Sequence, residues 1–401
     1  MRKIIGSIAA ISAVAFLPIQ DAAAVAGEPQ VPLNVAHGKK VTDEYIFEVH
    51  KKLDPANVAR QLGVTAKHVY RGAFKGFSTS VNSSRLSALR SKVKDIKSIT
   101  ESQYFTVGGV KEEQASLTQN GPSWGLDRID QRYRPLNGKY TYSQQAASVR
   151  AYVIDSGIDT DHPEFGGRAL NVYSSSGGSA NDCQGHGTHV AGIIGSAKYG
   201  VAKSIKLRGV KVTTGCDVDA TSASVLAGID YVYNYGIAPA VVNMSFAGSF
   251  DLNVNLAVTN LVNAGFFVAA AGGNDGEDAC TMSPASAVGV TGVAGSNSTD
   301  QHANDAFLNS AYGFCVDIYA PGRAITSTYK NSASSPNAAA TISGTSQATP
   351  FVCGVAAILQ ANNPNYTPQN IQDWITGNGT HQALSNVPWG TPNILLHKGT
   401  L

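Results

Sequence analysis

The chain has 401 residues, 43% of them hydrophobic and 14% charged, with a formal net charge of +2. At about 150 residues per domain, that length predicts two or three domains and at least one large core. The near-neutral balance excludes a general nucleic-acid binder, and the low charge with mixed composition excludes a disordered chain.

The first segment reads as a targeting signal. Arg2 and Lys3 precede an apolar run from Ile4 to Ile19, and the small residues Ala22, Ala23, Ala24, Val25 and Ala26 follow. This charged, apolar, small-residue order is that of a secretory signal, cut near Ala24 or Ala26, so residues 1–26 are predicted to be removed on secretion. The run is short for a membrane span and no other reaches about 18 residues, so no membrane partner is expected. An extracellular protein is free to form disulfides.

Residues 42–107 read as a small independent unit. Glu44–Val49 is apolar and β-rich. Asp54-Pro55 offers a cap followed by proline at the first helical position, leading a helix to about Leu62. Lys67–Tyr70 and Gly76–Val81 read as strands, Ser83–Lys92 as a helix after a serine cap, and Ile96–Val107 as a last strand. The order β-α-β-β-α-β predicts a ferredoxin-like α+β module. Residues 108–121 read as an exposed linker. Residues 27–116 carry 14 Lys and Arg against 9 Asp and Glu, and residues 117–401 carry 14 against 18. Segments of opposite sign are expected to attract each other.

From about residue 124 the pattern changes. Val149–Ile154 is nearly all apolar, as in a strand buried on both faces, and Lys206–Val212, Ala240–Met244 and Phe266–Ala271 read as similar strands. His189–Gly195, Ser222–Tyr235 and Leu252–Ala264 read as helices between them. The alternation predicts an α/β fold, a mostly parallel sheet with helices on both faces, whose carboxyl ends hold the active site.

Three segments carry chemistry. Tyr152 to Gly157 puts Asp155 at the end of a buried strand. Gly185-His186-Gly187 puts a histidine at a helix start. Ser343 to Pro350 puts Ser346 before the apolar helix Phe351–Ala361. A serine hydroxyl is a weak nucleophile at neutral pH; it needs an adjacent base, and the base needs an orienting carboxylate. Each residue alone is more often a cap or a turn; the three contexts together, on an α/β pattern, point to nucleophilic catalysis. An α/β-hydrolase would require Gly-x-Ser-x-Gly and the chain order Ser, Asp, His; here residue 348 is Ala and the order differs. His186, His189 and Cys183 lack a fourth ligand at zinc spacing. A binding protein on the same scaffold is the alternative from another class, but it has no need of all three groups.

These segments, with Trp124-Gly125-Leu126-Asp127-Arg128-Ile129-Asp130, resemble the secreted subtilisin-like serine proteases of the proteinase K and aqualysin group, from there to about Leu396. The resemblance implies a serine endopeptidase acting on proteins and peptides, a monomer with no catalytic cofactor. It implies a zymogen in which residues 27–116 are an inhibitory propeptide, cut near residues 110–118, and 117–401 the subtilisin-like catalytic domain. It assigns Asn274 to the oxyanion hole. Ser245, Phe246 and Ala247 with Ala271, Gly272 and Gly273 would wall the specificity pocket, and Val218, Asp219 and Ala220 would pair with substrate backbone. It pairs Cys183 with Cys216 and Cys280 with Cys315, leaving Cys353 as a small buried hydrophobe. It implies structural calcium on Asp317 and the main-chain oxygens of Val288 and Val290. A second family site would use Asp127, Asp130 and Gln131, but Asn137 and Lys139 stand at its later ligand positions, and an ammonium is no ligand. Four places depart from the pattern: Gln347 for Met, Phe351 and Cys353 for His and Ala, Ala247 for Gly, and Gly272 for Ala. Ala247 predicts a narrower pocket that favours small or aliphatic residues before the scissile bond.

Overall fold

Two sheets organise the computed structural model, which describes residues 30–92, 94–107, 121–142, 146–216, 220–331 and 335–401. The signal reading, the cleavage region and the residues Val218 and Asp219 lie outside the described residues.

The N-terminal module runs β1 (Lys40–Val49), α1 (Pro55–Gln61), β2 (His68–Tyr70), β3 (Gly76–Ser80), α2 (Ser83–Arg90) and β4 (Ile96–Val107). Its strand order is β4-β1-β3-β2, each neighbour antiparallel, as a ferredoxin-like module requires. Asp54 caps α1 by accepting the Asn57 N–H, with Pro55 at the first helical position. Asn82, not a serine, caps α2 by accepting the Arg85 N–H. Side chains alternate across β1. Tyr45, Phe47 and Val49 enter the module's own core with Val58, Leu86, Leu89 and Ile99. Ile46 points the other way and joins Tyr70, Ala73 and Phe74 against the second unit. Both faces are covered, so Glu44–Val49 is apolar without the usual alternation.

The second unit contains α3 (Trp124–Asp130), β5 (Arg150–Asp155), β6 (Ala169–Ser174), α4 (His186–Gly195), β7 (Lys206–Lys211), β8 (Ala220–Thr221), α5 (Ser222–Tyr235), β9 (Ala240–Met244), β10 (Phe246–Ser249), α6 (Leu252–Asn263), β11 (Phe267–Ala271), β12 (Thr291–Ser296), β13 (Ile318–Pro321), α7 (Thr345–Asn362) and α8 (Pro368–Asn378). The sheet is nine-stranded; its order β6-β7-β5-β9-β11-β12-β13 is parallel throughout, with two short strands at the β13 edge. On one face α4 and α7 bring Val190, Ile193, Val352, Val355 and Ile358 onto Val153, Val241 and Phe267. On the other, α5 and α6 bring Val225, Ile229, Val254 and Leu261 onto Ile154, Val242 and Val268. Consecutive strand residues therefore both bury, which accounts for the apolar runs.

The module sits on α5 and α6. Asp230 on α5 accepts the N–H groups of Gly72 at 2.7 Å and Arg71 at 3.4 Å. Asp251, which caps α6, also accepts the Ser222 hydroxyl, and the oxygen of that hydroxyl accepts the Gln103 N–H at 3.1 Å. The module's ion pairs, Lys40–Glu101, Lys67–Glu44, Arg71–Asp54 and Lys97–Glu48, are internal to it. The polar contacts across the face therefore join main-chain groups of the module to Asp230 and to the Ser222–Asp251 pair.

Candidate active site

Asp155 at the carboxyl end of β5 meets His186 at the amino end of α4, and Ser346 at the amino end of α7 meets Ser245 just ahead of β10, the strand with which the tail of β4 pairs. Asp155 ends β5 and is fully buried, and both its oxygens lie against His186 Nδ1, at 2.9 and 3.0 Å. His186 is the first residue of α4, not a residue ahead of it. The flanking glycines have a steric cause. Gly185 has φ +112°, and a Cβ there would collide with the Tyr329 ring; a Cβ on Gly187 would collide with the Gly157 carbonyl. Burial disfavours the imidazolium, but the Asp155 carboxylate outweighs it, and the His186 pKa is raised above its usual value.

Asp182, which the sequence reading missed, organises the turn into α4. Its Oδ1 accepts the N–H groups of Gln184 and Gly185 and the Ser156 hydroxyl, and its Oδ2 accepts the N–H and hydroxyl of Thr188. Its charge also helps raise the His186 pKa. The available signal was an acidic residue four positions before a helix-start histidine. His189, one turn on, is a core residue: Nε2 faces the carbonyls of Ile325 and Ala340, and burial holds its pKa down to about 3. Cys183 is bonded to Cys216 and Cys280 to Cys315, as the resemblance implied. Among the described residues no cluster of three His, Cys, Asp or Glu could hold a metal. Cys353 is buried and its thiol pKa is raised by that burial.

Ser346 is the second residue of α7 and 3% exposed. Its hydroxyl donates to the Ser245 carbonyl at 2.8 Å, and the Ser245 hydroxyl donates back to the Ser346 carbonyl at 2.8 Å. His186 Nε2 is buried with no hydrogen-bond partner. The Ser346 hydroxyl is thus committed to Ser245, and His186 Nε2 is left without a partner. Asn274 follows β11 and Gly273. Its Oδ1 accepts the Thr345 N–H at 2.8 Å and the Thr345 hydroxyl at 3.0 Å. Thr345 thereby holds the carboxamide by its oxygen, which leaves the NH2 group to donate to another partner.

Ser245 and Phe246 are buried and Ala247 is half-buried; Ala271, Gly272 and Gly273 are buried on the facing wall. A methyl on Gly272 would meet the Val293 carbonyl at 3.1 Å and Ala311 at 3.2 Å, so this position points behind the wall. Between β8 and β10 lies the tail of β4. Phe246 pairs with Val107 and Ala247 with Thr106, antiparallel, while Ala220 pairs with Phe105 and Thr221 with Tyr104. Residues 104–107 are a middle strand between two edges of the second unit. A peptide adding a strand in this way is held by main-chain bonds, with side-chain pockets setting preference.

Asp317, half-buried, accepts the Gly292 N–H at 2.7 Å and is also hydrogen-bonded by Gln372, and burial raises its pKa to about 6. A carboxylate and a main-chain carbonyl are the oxygen donors a hard cation takes, and a cation here would replace the Gln372 amide, which now joins Asp317 and the Val290 carbonyl, the latter at 3.4 Å. The second family site does not fit. Asp127 accepts the N–H groups of Asn137 and Gly138, and Asp130 is paired with the buried Lys398 ammonium at 2.9 Å. The ammonium that fills that place comes from the C-terminus, not from Lys139.

Residues 149–388 match the subtilase family. The chain is 41% identical over 337 residues to an extracellular serine proteinase of Thermus sp. (strain Rt41A), covering 84% of this chain and 78% of that one. It is 36% identical to Proteinase R of Parengyodontium album, over 95% of both. Its fold is similar to that of a cold-adapted subtilisin-like serine proteinase, at 38% identity and TM-score 0.65, over 69% of this chain and 98% of that one. Fervidolysin from Fervidobacterium pennivorans shares the fold at 18% identity and TM-score 0.72, over 93% of this chain and 63% of that one. With these likenesses and the site already described, the chain belongs to the subtilase family and is a subtilisin-like serine protease.

Proposed function

We propose that this protein is a secreted endopeptidase working through an acyl-enzyme and made as a self-processing zymogen. His186 takes the Ser346 proton as the hydroxyl oxygen attacks the substrate carbonyl, and then gives that proton to the leaving amine. A water repeats the sequence to release the acid product. Asp155 fixes the ring with Nδ1–H toward itself and favours the imidazolium. The Asn274 NH2 group and the Ser346 N–H face the oxyanion, which exists only in the tetrahedral intermediate. A substrate strand continuing the β10 pairing toward Ser245 offers its own N–H to that carbonyl, releasing the Ser346 hydroxyl to turn to His186.

The observation that carries this reading is residues 104–107, seated between β8 and β10 as a substrate would be. On that basis residues 27–116 act as inhibitor and folding template, cut after secretion of a chain whose residues 1–26 are the signal. The mature enzyme acts as a monomer on proteins and peptides. Asp317, with the main-chain oxygens of Val288 and Val290, would hold a calcium ion, which would neutralise the carboxylate and tie the segment before β12 to the start of β13.

Ser346→Ala, made in a host without related proteases, tests the whole reading. It should abolish peptide hydrolysis and accumulate as precursor. Mature-sized protein from that variant would refute self-processing, and N-terminal sequencing of the wild-type product fixes the boundary.

A further inference from the structure

On the far side of the module from the β4 tail, a cleft of about 970 Å³ opens between the module and helices α5 and α6. The module's wall supplies five ammonium groups, from Lys51, Lys52, Lys75, Lys94 and Lys97, and one carboxylate, Glu48. Glu48 is taken by Lys97 at 2.7 Å and the Ser98 hydroxyl at 3.0 Å, and the Lys75 ammonium is spent on the Lys51 carbonyl. Lys51, Lys52 and Lys94 have no carboxylate partner among the described residues. The opposite wall, Tyr233, Leu256 and Asn260, brings no charge, although the second unit carries the chain's acidic excess. The carboxylates of that unit that reach the module, Asp230 and Asp251, are used on N–H groups and a hydroxyl elsewhere.

We propose that this cleft binds a multivalent oxyanion polymer, a polyphosphate or a sulfated glycan. Like charges gathered in a concavity raise its potential, and a ligand with several linked charges neutralises them while releasing its own counterions. A single phosphate gains little there, because no rigid fork of donors surrounds one point. Tyr233 adds a hydroxyl from the second unit, so the ligand touches both walls, which the Asn260 amide already joins by donating to the Ala73 carbonyl at 2.7 Å. Whatever binds the docked pair better than the separated parts favours docking.

The test uses the Ser346→Ala chain isolated as uncut full-length protein, and reads affinity by titration calorimetry. Inorganic polyphosphate, a heparin-type sulfated glycan and monomeric phosphate are the probes. One of the two polymers should bind one to one, and the tighter identifies the source; phosphate alone should bind far more weakly. Changing Lys51, Lys52 and Lys94 together to Gln should weaken that binding at least tenfold. It should also flatten the log-log salt dependence by about 2, from about 0.7 per neutralised charge on a single-strand-like polymer. The same three positions changed to Arg should retain the affinity, which separates charge from misfolding. Lys40, Lys139 and Lys198 changed to Gln remove equal charge elsewhere and should leave it within twofold. Equal weakening by the two Gln variants, an unchanged cleft variant, or no binding of either polymer at 0.1 M salt overturns the proposal.

Discussion

The module and the parallel-sheet unit bury apolar surface by different means. The larger unit covers both faces of its sheet with its own helices, α4 and α7 on one side and α5 and α6 on the other. The module, with a much smaller core, covers one face with α1 and α2 and leaves Ile46, Tyr70, Ala73 and Phe74 to be covered by its neighbour. A domain of that size buries only about 60% of its unfolded surface and is marginal by itself. The module therefore depends on docking for part of its stability, whereas the larger unit is complete and supplies the chemistry. Changes in the large unit's site should erase activity, and changes at the shared face should tune the docking.

The largest effect is expected at Asp155. Asp155→Asn keeps the shape but lets the imidazole carry its proton on the wrong nitrogen, and kcat should fall about 10⁴-fold. A loss under tenfold on a peptide ester would remove Asp155 from the mechanism. Asn274→Ala removes one donor to the oxyanion and should lower kcat by about 10²- to 10³-fold with little change in KM. A rise in KM with kcat intact would mean that Asn274 only shapes the pocket.

At the shared face, Asp230→Ala removes the acceptor for the Gly72 and Arg71 N–H groups. Hydrogen bonds to a charged group contribute about 1.5–3 kcal/mol, so trans inhibition by a separately made module should weaken by about 10- to 100-fold. Because these contacts are main-chain to side-chain, inhibition by the wild-type module should vary little between 0.05 and 0.5 M salt. A steep salt dependence would restore the ionic attraction suggested by the charge split.

A smaller effect concerns pH. His186 must be neutral to accept a proton, and its pKa lies above the usual value. Activity is therefore full above that pKa and is lost as pH falls through it. Asp182→Asn removes one of the charges that raise it, so the acid limb of kcat/KM should move to lower pH. A limb that stays in place would leave Asp182 with a purely structural part. The smallest effect is at Gln347, whose amide oxygen and nitrogen are both buried without partners. Gln347→Met should stabilise the protein by about 1–3 kcal/mol in urea unfolding, because an unmade buried hydrogen bond is removed. It should also make activity sensitive to peroxide through sulfoxide formation. No gain in stability would mean that the amide has a partner when substrate or water is present.

Much of the fold was legible because local signals and the fold agree. The cap at Asp54 with Pro55 after it, the serine start and glycine stop of α5, and the doubly buried strands are encoded within a few residues of where they act. The helix starts were read too late at both catalytic positions. His186 and Ser346 lie inside the first turns of α4 and α7, and Pro350 is the sixth residue of α7, where the Ser346 carbonyl that its missing N–H would have met accepts the Ser245 hydroxyl instead. Glycine and proline punctuation suggested loops there; packing against β5 and β9 made them helix.

The sequence by itself determined the order of the elements, the ferredoxin-like module, the doubly covered parallel sheet, and the three local contexts holding Asp155, His186 and Ser346. These follow from periodicity, caps and residue chemistry over short spans. Only the tertiary structure decided what lies across the gaps. It put Asp182 beneath the turn into α4 and the Lys398 ammonium on Asp130, 268 positions away along the chain. It also laid residues 104–107 between two edge strands and left three module lysines facing a neutral wall. Each of these joins groups far apart in sequence, where no local pattern fixes the partner and only the packing of the two units brings the charges and main-chain groups within reach.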